Sequence, residues 1–347
     1  ELKTIPVYPV GLVEPKGFFA ASMRDTTIHT RATDIDLPFT GNTYISIEGN
    51  LLEVMLSEIE QLKVYPHGCT EQLTSKLLSV YYEEKVKQLL GSKAFNNTKE
   101  KKEILAKLIA AQNSDGSFGW FGGNNADFRV TNYVLSTLQK LEDKSFGPIL
   151  YKGLSFLNYN LSRMSTQDLI SSLATLSAAA YQSNYEKELD RIKGEQLSTY
   201  NRFAIIKIKK ERNLPYRAAL DSIMQEAQTG KSGIKWGDKS YDWYRNELAT
   251  TLLAYDIIKS DSVYSGKKDN IMMYLLSKRK NGYYDNTAES GLILTTLLPD
   301  LIKGNEAQYK DRTATSVVLT GSRNDSIKTF PAYLKLNDKN AYLNITK

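Results

Sequence analysis

Three stretches of the chain share one layout. "LIAAQNSDGSFGWFGG" ends at Gly123, "SIMQEAQTGKSGIKWGD" at Asp238 and "YLLSKRKNGYYDNT" at Thr287. Each is an amphipathic helical pattern, a polar turn, a glycine and then aromatics. A more apolar helical pattern follows each time: "RVTNYVLSTLQKL", "RNELATTLLAYDII" and "AESGLILTTLLPDL". Arg129 and Arg245 each lie nine residues past a tryptophan, at Trp120 and Trp236. A recurring unit of helix, aromatic turn and helix buries its apolar face by stacking on its neighbours. Two further stretches, "TQDLISSLATLSAAAYQ" and "STYNRFAIIKIKKER", fit between these as paired helices. Glycine permits a left-handed backbone at a helix end, and the aromatics then plug the core between helix layers. A cleft for stacking sugars or bases is the alternative use of such turns.

Strand-like sequence flanks the helical block on both sides. "TIPVYPVGLV", "GFFAASMRDTTIHTRATDIDL" and "NTYISIEG" are rich in β-branched and aromatic residues and broken by Pro and Gly. After Leu301 the pattern returns to strands, in "TATSVVLTGS", "SIKTFPAYLKL" and "NAYLNITK". The expected organisation is β strands over 1–49, helices over 50–304 and β strands over 305–347. The last piece is short for an independent module, which favours a helical domain inserted into one β-domain over two separate β-modules.

Composition excludes several classes. One Cys rules out an internal disulfide framework, and two His leave no Cys/His cluster for structural zinc. No stretch approaches the roughly 20 apolar residues that span a bilayer. A net charge of +6 is a mild excess. The basic tract Lys207–Arg212 lacks interleaved aromatics, and its isoleucines suit a helix with a polar face, so no nucleic-acid partner is expected. Glu1 to Pro9 lack the pattern of a signal peptide. The chain is then cytosolic or a segment of a longer exported protein, and its start on strand-like sequence favours the segment.

The single cysteine lies in "YPHGCTEQ", residues 65–72, between two helical patterns. In "NLLEVMLSEIEQLKVYP" the apolar residues keep helical spacing until Pro66, and a second helix begins at about Thr70 and ends at Gly91. A catalytic thiol needs a base nearby. His67 is two residues away, where side chains do not meet on a helix or strand. Gln72 is better placed: on a helix starting at about Cys69, the two lie at i and i+3 on one face. A thiol and a carboxamide held in contact can condense with loss of ammonia to an internal thioester, which stores acyl-transfer potential. Pro66 and Gly68 shape the approach to Cys69. Singly, Gln72 is an ordinary first-turn residue and Glu71 an acid that suits the helix dipole.

Together, Pro66-x-Gly68-Cys69-x-Glu71-Gln72 resembles the thioester motif of the α2-macroglobulin and complement superfamily, P-x-G-C-x-E-Q. The order of strands, helical repeats and strands is similar over essentially the whole chain. "YPHGCTEQLTS" is most similar to bacterial α2-macroglobulin-like proteins, which usually show Tyr where His67 stands. The resemblance implies a mainly α fold: an α/α-toroid thioester domain of paired helices, inserted into a CUB-like β-sandwich. It implies a single-turnover covalent trap for proteases. A cut elsewhere in the parent protein exposes the thioester, and a target lysine amine takes the Gln72 acyl group and frees the Cys69 thiol. Small amines such as methylamine would react in the same way. No cofactor or metal is implied. Export to the periplasm or cell envelope is implied, with any membrane anchor outside this segment. An aromatic shield over the bond is also expected, with Trp120, Phe121, Trp243 and Tyr244 as candidates.

One departure bears on the chemistry. Complement proteins that acylate hydroxyls use a histidine well downstream of the motif, and no histidine follows His67. Direct transfer to amines is therefore implied, and His67 is expected to fill the aromatic slot of the usual Tyr. Two other readings stay open. One is an α/α-toroid enzyme, for which "DWYRNE" at 242–247 offers Asp242, Tyr244, Arg245 and Glu247 without a second Asp cluster. The other is a binding module that keeps the fold with a silent motif.

Overall fold

The computed structural model describes residues 30–31, 43–48, 51–65, 68–89, 94–123, 125–230, 232–237, 240, 242, 245–279 and 283–304, and the strands at 316–320, 325–327, 332–336 and 342–346. The chain is mainly helical. Two strands come first, β1 (Thr30–Arg31) and β2 (Thr43–Ile47). The helices that follow are α1 (Leu51–Val64), α2 (Thr70–Leu89), α3 (Thr98–Ala111), α4 (Phe128–Leu141), α5 (Gly147–Asn160) and α6 (Thr166–Ala178). Then come α7 (Tyr185–Asp190), α8 (Thr199–Glu211), α9 (Arg217–Met224), α10 (Glu247–Ile258), α11 (Lys268–Ser277) and α12 (Thr287–Gly304). No described helix is long and apolar enough to cross a membrane.

The even-numbered helices from α2 to α12 pack in sequence: α2 on α4, α4 on α6, α6 on α8, α8 on α10 and α10 on α12. α12 packs back on α2 and closes the circle. The remaining helices lie against this ring, with α1 in the seam between α2 and α12 and α5 between α4 and α6. Buried Ser, Thr and Asn recur on the ring helices, among them Ser75, Thr131, Asn132, Ser172, Thr175, Thr251 and Ser290. Some bond across helices, as in Asn132 Nδ2 to Ser172 Oγ at 3.0 Å and Thr175 Oγ1 to Asn132 Oδ1 at 2.7 Å. Large apolar side chains such as Leu52, Met55, Ile59, Leu77 and Leu78 fill the space between the helices.

Local sequence explains where several ring helices start. The side chains of Asp127, Ser165, Ser198 and Asn246 each accept a backbone N–H in the first turn of α4, α6, α8 and α10. The aromatic turns plug the core as the repeat predicts, in a different register. Gln112 bridges Phe118 in a small hairpin before α4. β3 (Gln228–Gly230) pairs with β4 (Gly233–Lys235) before α10. The Phe118 N–H donates to Thr131 Oγ1 at 2.9 Å, and the Trp236 N–H to Thr251 Oγ1 at 3.1 Å. Phe118 and Trp236 are therefore the equivalent, fully buried plugs, and Tyr284 is buried in the third turn. The nine-residue spacing had matched Trp120 to Trp236, but Trp120 is only half-buried. The tract Lys207–Arg212 forms the end of α8 and is spent on neighbours: Lys207 pairs with Asp256 and Glu211, and Lys210 Nζ donates to the Ile257 carbonyl at 2.7 Å.

Four strands follow α12: β5 (Ser316–Thr320), β6 (Asp325–Ile327), β7 (Ala332–Leu336) and β8 (Tyr342–Thr346). Two of them, β7 and β8, pair with the strands that precede α1. β2 runs antiparallel to β7, with Thr43 opposite Leu336 and Ile47 opposite Ala332. β1 lies at the edge of an antiparallel sheet in the order β1-β8-β5-β6. At the junction with the helices, the Arg279 guanidinium pairs with Glu48, just past β2, and with the buried Glu58 of α1. Ser290 of α12 donates to the same Glu58 carboxyl at 2.8 Å.

Candidate functional site at the start of α2

α1 ends at Val64 and α2 begins at Thr70, as the apolar spacing predicts. Pro66 and His67 lie outside the described residues, as do Trp243 and Tyr244. Gly68 is exposed, and a Cβ there would meet nothing within 4 Å. Cys69 is the N-cap residue of α2, since its carbonyl accepts the first helical N–H, from Leu73, at 2.9 Å. Gln72 is then the third helical residue. Its Oε1 accepts the Cys69 backbone N–H at 3.3 Å. This is the return half of a capping box, in which the third-residue side chain folds back on the N-cap amide. The fold-back brings the Gln72 carboxamide to the residue that carries the thiol.

Cys69 is buried at 8% exposure. Burial pushes its thiol above the usual range, and the neighbouring Glu71 carboxylate adds to this. Backbone N–H groups of Gln72 and Glu71 act the other way, because they favour a thiolate at a helix N-terminus. The sulfur is thus shielded, and burial disfavours its thiolate.

Glu71 is also buried, at 5% exposure. Burial raises its carboxyl above the usual range, while hydrogen bonds from Ser75 and Thr287 lower it. Ser75 Oγ donates to Glu71 Oε1 at 2.9 Å, and Thr287 Oγ1 lies 3.2 Å from both carboxyl oxygens. Ser75 Oγ is also 2.7 Å from the Tyr133 hydroxyl of α4. Sequence reasoning found Glu71 but not Ser75, Tyr133 or Thr287. Ser75 lies one turn after Glu71 on α2, but the contacts of Tyr133 and Thr287 come from two other helices, and no spacing in the sequence encodes them.

The first aromatic turn lies directly on the motif. The Thr70 N–H donates to the Trp120 carbonyl at 2.9 Å. Trp120 is half-buried, and its Nε1 donates to Asp127 Oδ2 at 3.0 Å. Phe121 projects into solvent at 73% exposure. Val64 and Tyr65, just before the motif, are exposed as well. Among the described residues, no group of three His, Cys, Asp or Glu side chains is placed to hold a metal ion.

No protein-family model matches the chain. A curated relative, the α2-macroglobulin of Escherichia coli K12, is 29% identical over 93 residues, which are 25% of this chain and 6% of that protein. Among solved structures, native E. coli α2-macroglobulin spanning domain MG7 to the C-terminus matches with a TM-score of 0.59 and 15% identity. That match covers 92% of this chain and 53% of the solved one. Salmonella α2-macroglobulin reacted with methylamine matches with a TM-score of 0.57 and 12% identity, over 93% of this chain and 23% of the other. The chain thus corresponds to about half of the first solved chain and to less than a quarter of the second. By sequence and fold together, the chain is similar to the C-terminal region of bacterial α2-macroglobulin.

Proposed function

We propose that Cys69 and Gln72 form an internal thioester and that the parent protein uses it to trap proteases covalently. One observation carries this reading: the capping-box contact from Cys69 N to Gln72 Oε1 at 3.3 Å, at a buried cysteine. In the condensation, sulfur adds to the Gln72 carbonyl carbon, the C–N bond breaks and ammonia leaves with the thiol proton. In the trapping step, a target amine adds to the same carbon, the C–S bond breaks and the Cys69 thiolate takes up a proton as the amide forms. The acyl group stays on the target, so one bond captures one nucleophile. The protein is accordingly an inhibitor and not a turnover enzyme. The methylamine-reacted Salmonella structure supports amine reactivity of this kind.

The wider reading follows from the same resemblance. The closed ring of α2, α4, α6, α8, α10 and α12 supports an α/α toroid over residues 50–304. The pairing of β2 with β7 and of β1 with β8 supports its insertion into one CUB-like β-domain formed by 1–49 and 305–347. The hydrogen bond from the Thr70 N–H to the Trp120 carbonyl, which lays the first aromatic turn on the motif, supports an aromatic cover over the thioester. We place the parent protein outside the cytoplasm, in the periplasm or cell envelope.

Intact mass combined with thiol labelling tests the proposal. A formed thioester gives a mass short by one ammonia and a Cys69 that resists alkylation until a nucleophile opens the bond. Methylamine then releases the thiol and adds its own mass at Gln72. Fresh native protein at full mass, with Cys69 alkylated before any amine is added, would overturn it.

A further inference from the structure

Tyr133 takes no part in the motif, yet two neighbouring helices are shaped around its hydroxyl. It is buried on α4, and its OH lies 2.7 Å from Ser75 Oγ of α2. Ser75 has one proton, and that proton is engaged toward Glu71, at 2.9 Å from the carboxyl and 3.1 Å from the backbone carbonyl. Tyr133 therefore supplies the proton of its bond to Ser75, and the chain runs Tyr133 to Ser75 to Glu71. On the far side stands α12. Thr287 reaches the same carboxyl, and Gly291, one turn further along, leaves room for the phenol. A Cβ at Gly291 would stand 2.4 Å from the Tyr133 hydroxyl. Three ring helices thus meet at one polar node.

We infer that Tyr133 is a positioning residue for the Cys69–Gln72 group, acting through Ser75 to fix Glu71 between the first turns of α2 and α12. The inference rests on the thioester reading for its main consequence. Glu71 belongs to the short backbone path that joins the two reacting side chains. Holding its side chain from both α4 and α12 holds that path, and with it the approach of Gln72 to Cys69. Linked hydrogen bonds reinforce one another in a dry interior, so loss of the outermost member loosens the innermost. The node also sets where the Glu71 charge lies relative to the sulfur.

Tyr133→Phe keeps the ring and its volume and removes only the hydroxyl. In protein that carries the thioester, spontaneous thiol release should speed up by up to about tenfold, the scale of one lost hydrogen bond between neutral groups. Gly291→Ala, which displaces the hydroxyl while keeping the tyrosine, should act in the same direction. The second readout needs no thioester: the pH midpoint for iodoacetamide alkylation of Cys69 after methylamine treatment, or in protein where the cross-link never forms. Tyr133→Phe should move it downward, as the Glu71 charge relaxes away from the sulfur. A thiol-release rate and an alkylation midpoint both equal to wild type, in folded Tyr133→Phe protein, would overturn the inference. Wild-type protein at full mass would instead count against the thioester reading, and the alkylation midpoint would then decide this inference alone.

Discussion

The Thr70 N–H donates to the Trp120 carbonyl at 2.9 Å, which ties the first turn of the motif helix to the aromatic turn before α4. Asp127 holds that turn from its other end. It accepts Trp120 Nε1 at 3.0 Å and the N–H groups of Arg129 at 2.8 Å and Val130 at 3.2 Å. Asp127→Ala removes a helix cap and the indole's partner, and should cost about 1–2 kcal/mol in a urea melt. Native Cys69 should also become easier to alkylate. An unchanged urea midpoint would mean that the turn is held by packing alone.

Gln72→Asn shortens the side chain by one methylene and takes its oxygen out of reach of the Cys69 N–H. The loss of half a capping box should lower helix stability by only about 0.5–1 kcal/mol. Methylamine incorporation, read by peptide mass, should fall to zero. Substantial incorporation at residue 72 would contradict the geometry.

Glu247 offers a test in acid. It is buried, which raises its carboxyl, but hydrogen bonds from Lys235 and Lys278 outweigh burial and bring it down to about 2 from 4.5. A carboxyl depressed by folding adds stability that is complete above its unfolded value and lost as pH falls toward its folded one. Wild type should therefore exceed Glu247→Gln in stability at neutral pH. The gap should close between pH 4.5 and about 2. Thermal midpoints of both proteins across this window measure it, and a gap that stays constant to pH 2 would refute the assignment.

Gly116 lies in the turn before Phe118 with φ +94°, and a Cβ there would stand 2.3 Å from the Lys152 carbonyl. Gly116→Ala combines a left-handed backbone with a clash against main chain, which cannot rotate away. The expected loss is about 2–4 kcal/mol by chemical denaturation. Gly123→Ala should cost less, because its surroundings are open within 4 Å despite φ +85°.

Much of this was legible in the sequence, and the limits have physical reasons. The starts of α1 and α2 follow from local spacing and Pro66, so both were readable. Cys69 and Gln72 are close in sequence, and one helical turn suffices to bring them together. The repeat was visible, but its register was misread, because Trp120 and Trp236 look alike while burial selects Phe118 and Trp236. α5 was missed, with its turn of Lys and Tyr on the exposed side, and so was the short α7. The node of Glu71, Ser75, Tyr133 and Thr287 was out of reach. Each residue there is unremarkable in its own helix, and packing of α4 and α12 on α2 brings Tyr133 and Thr287 to the local Glu71–Ser75 pair.

That closure also sets an order of events. Glu71 and Thr287 are 216 residues apart in the chain and touch only when α12 docks on α2. Contacts of such separation cost the most loop entropy and form late in folding. A growing or half-folded chain therefore presents Cys69 and Gln72 before the groups that fix Glu71 have arrived. The Cys69–Gln72 contact is local, but its full setting needs α12 docked on α2, so completion of the ring decides when the cysteine meets its final surroundings.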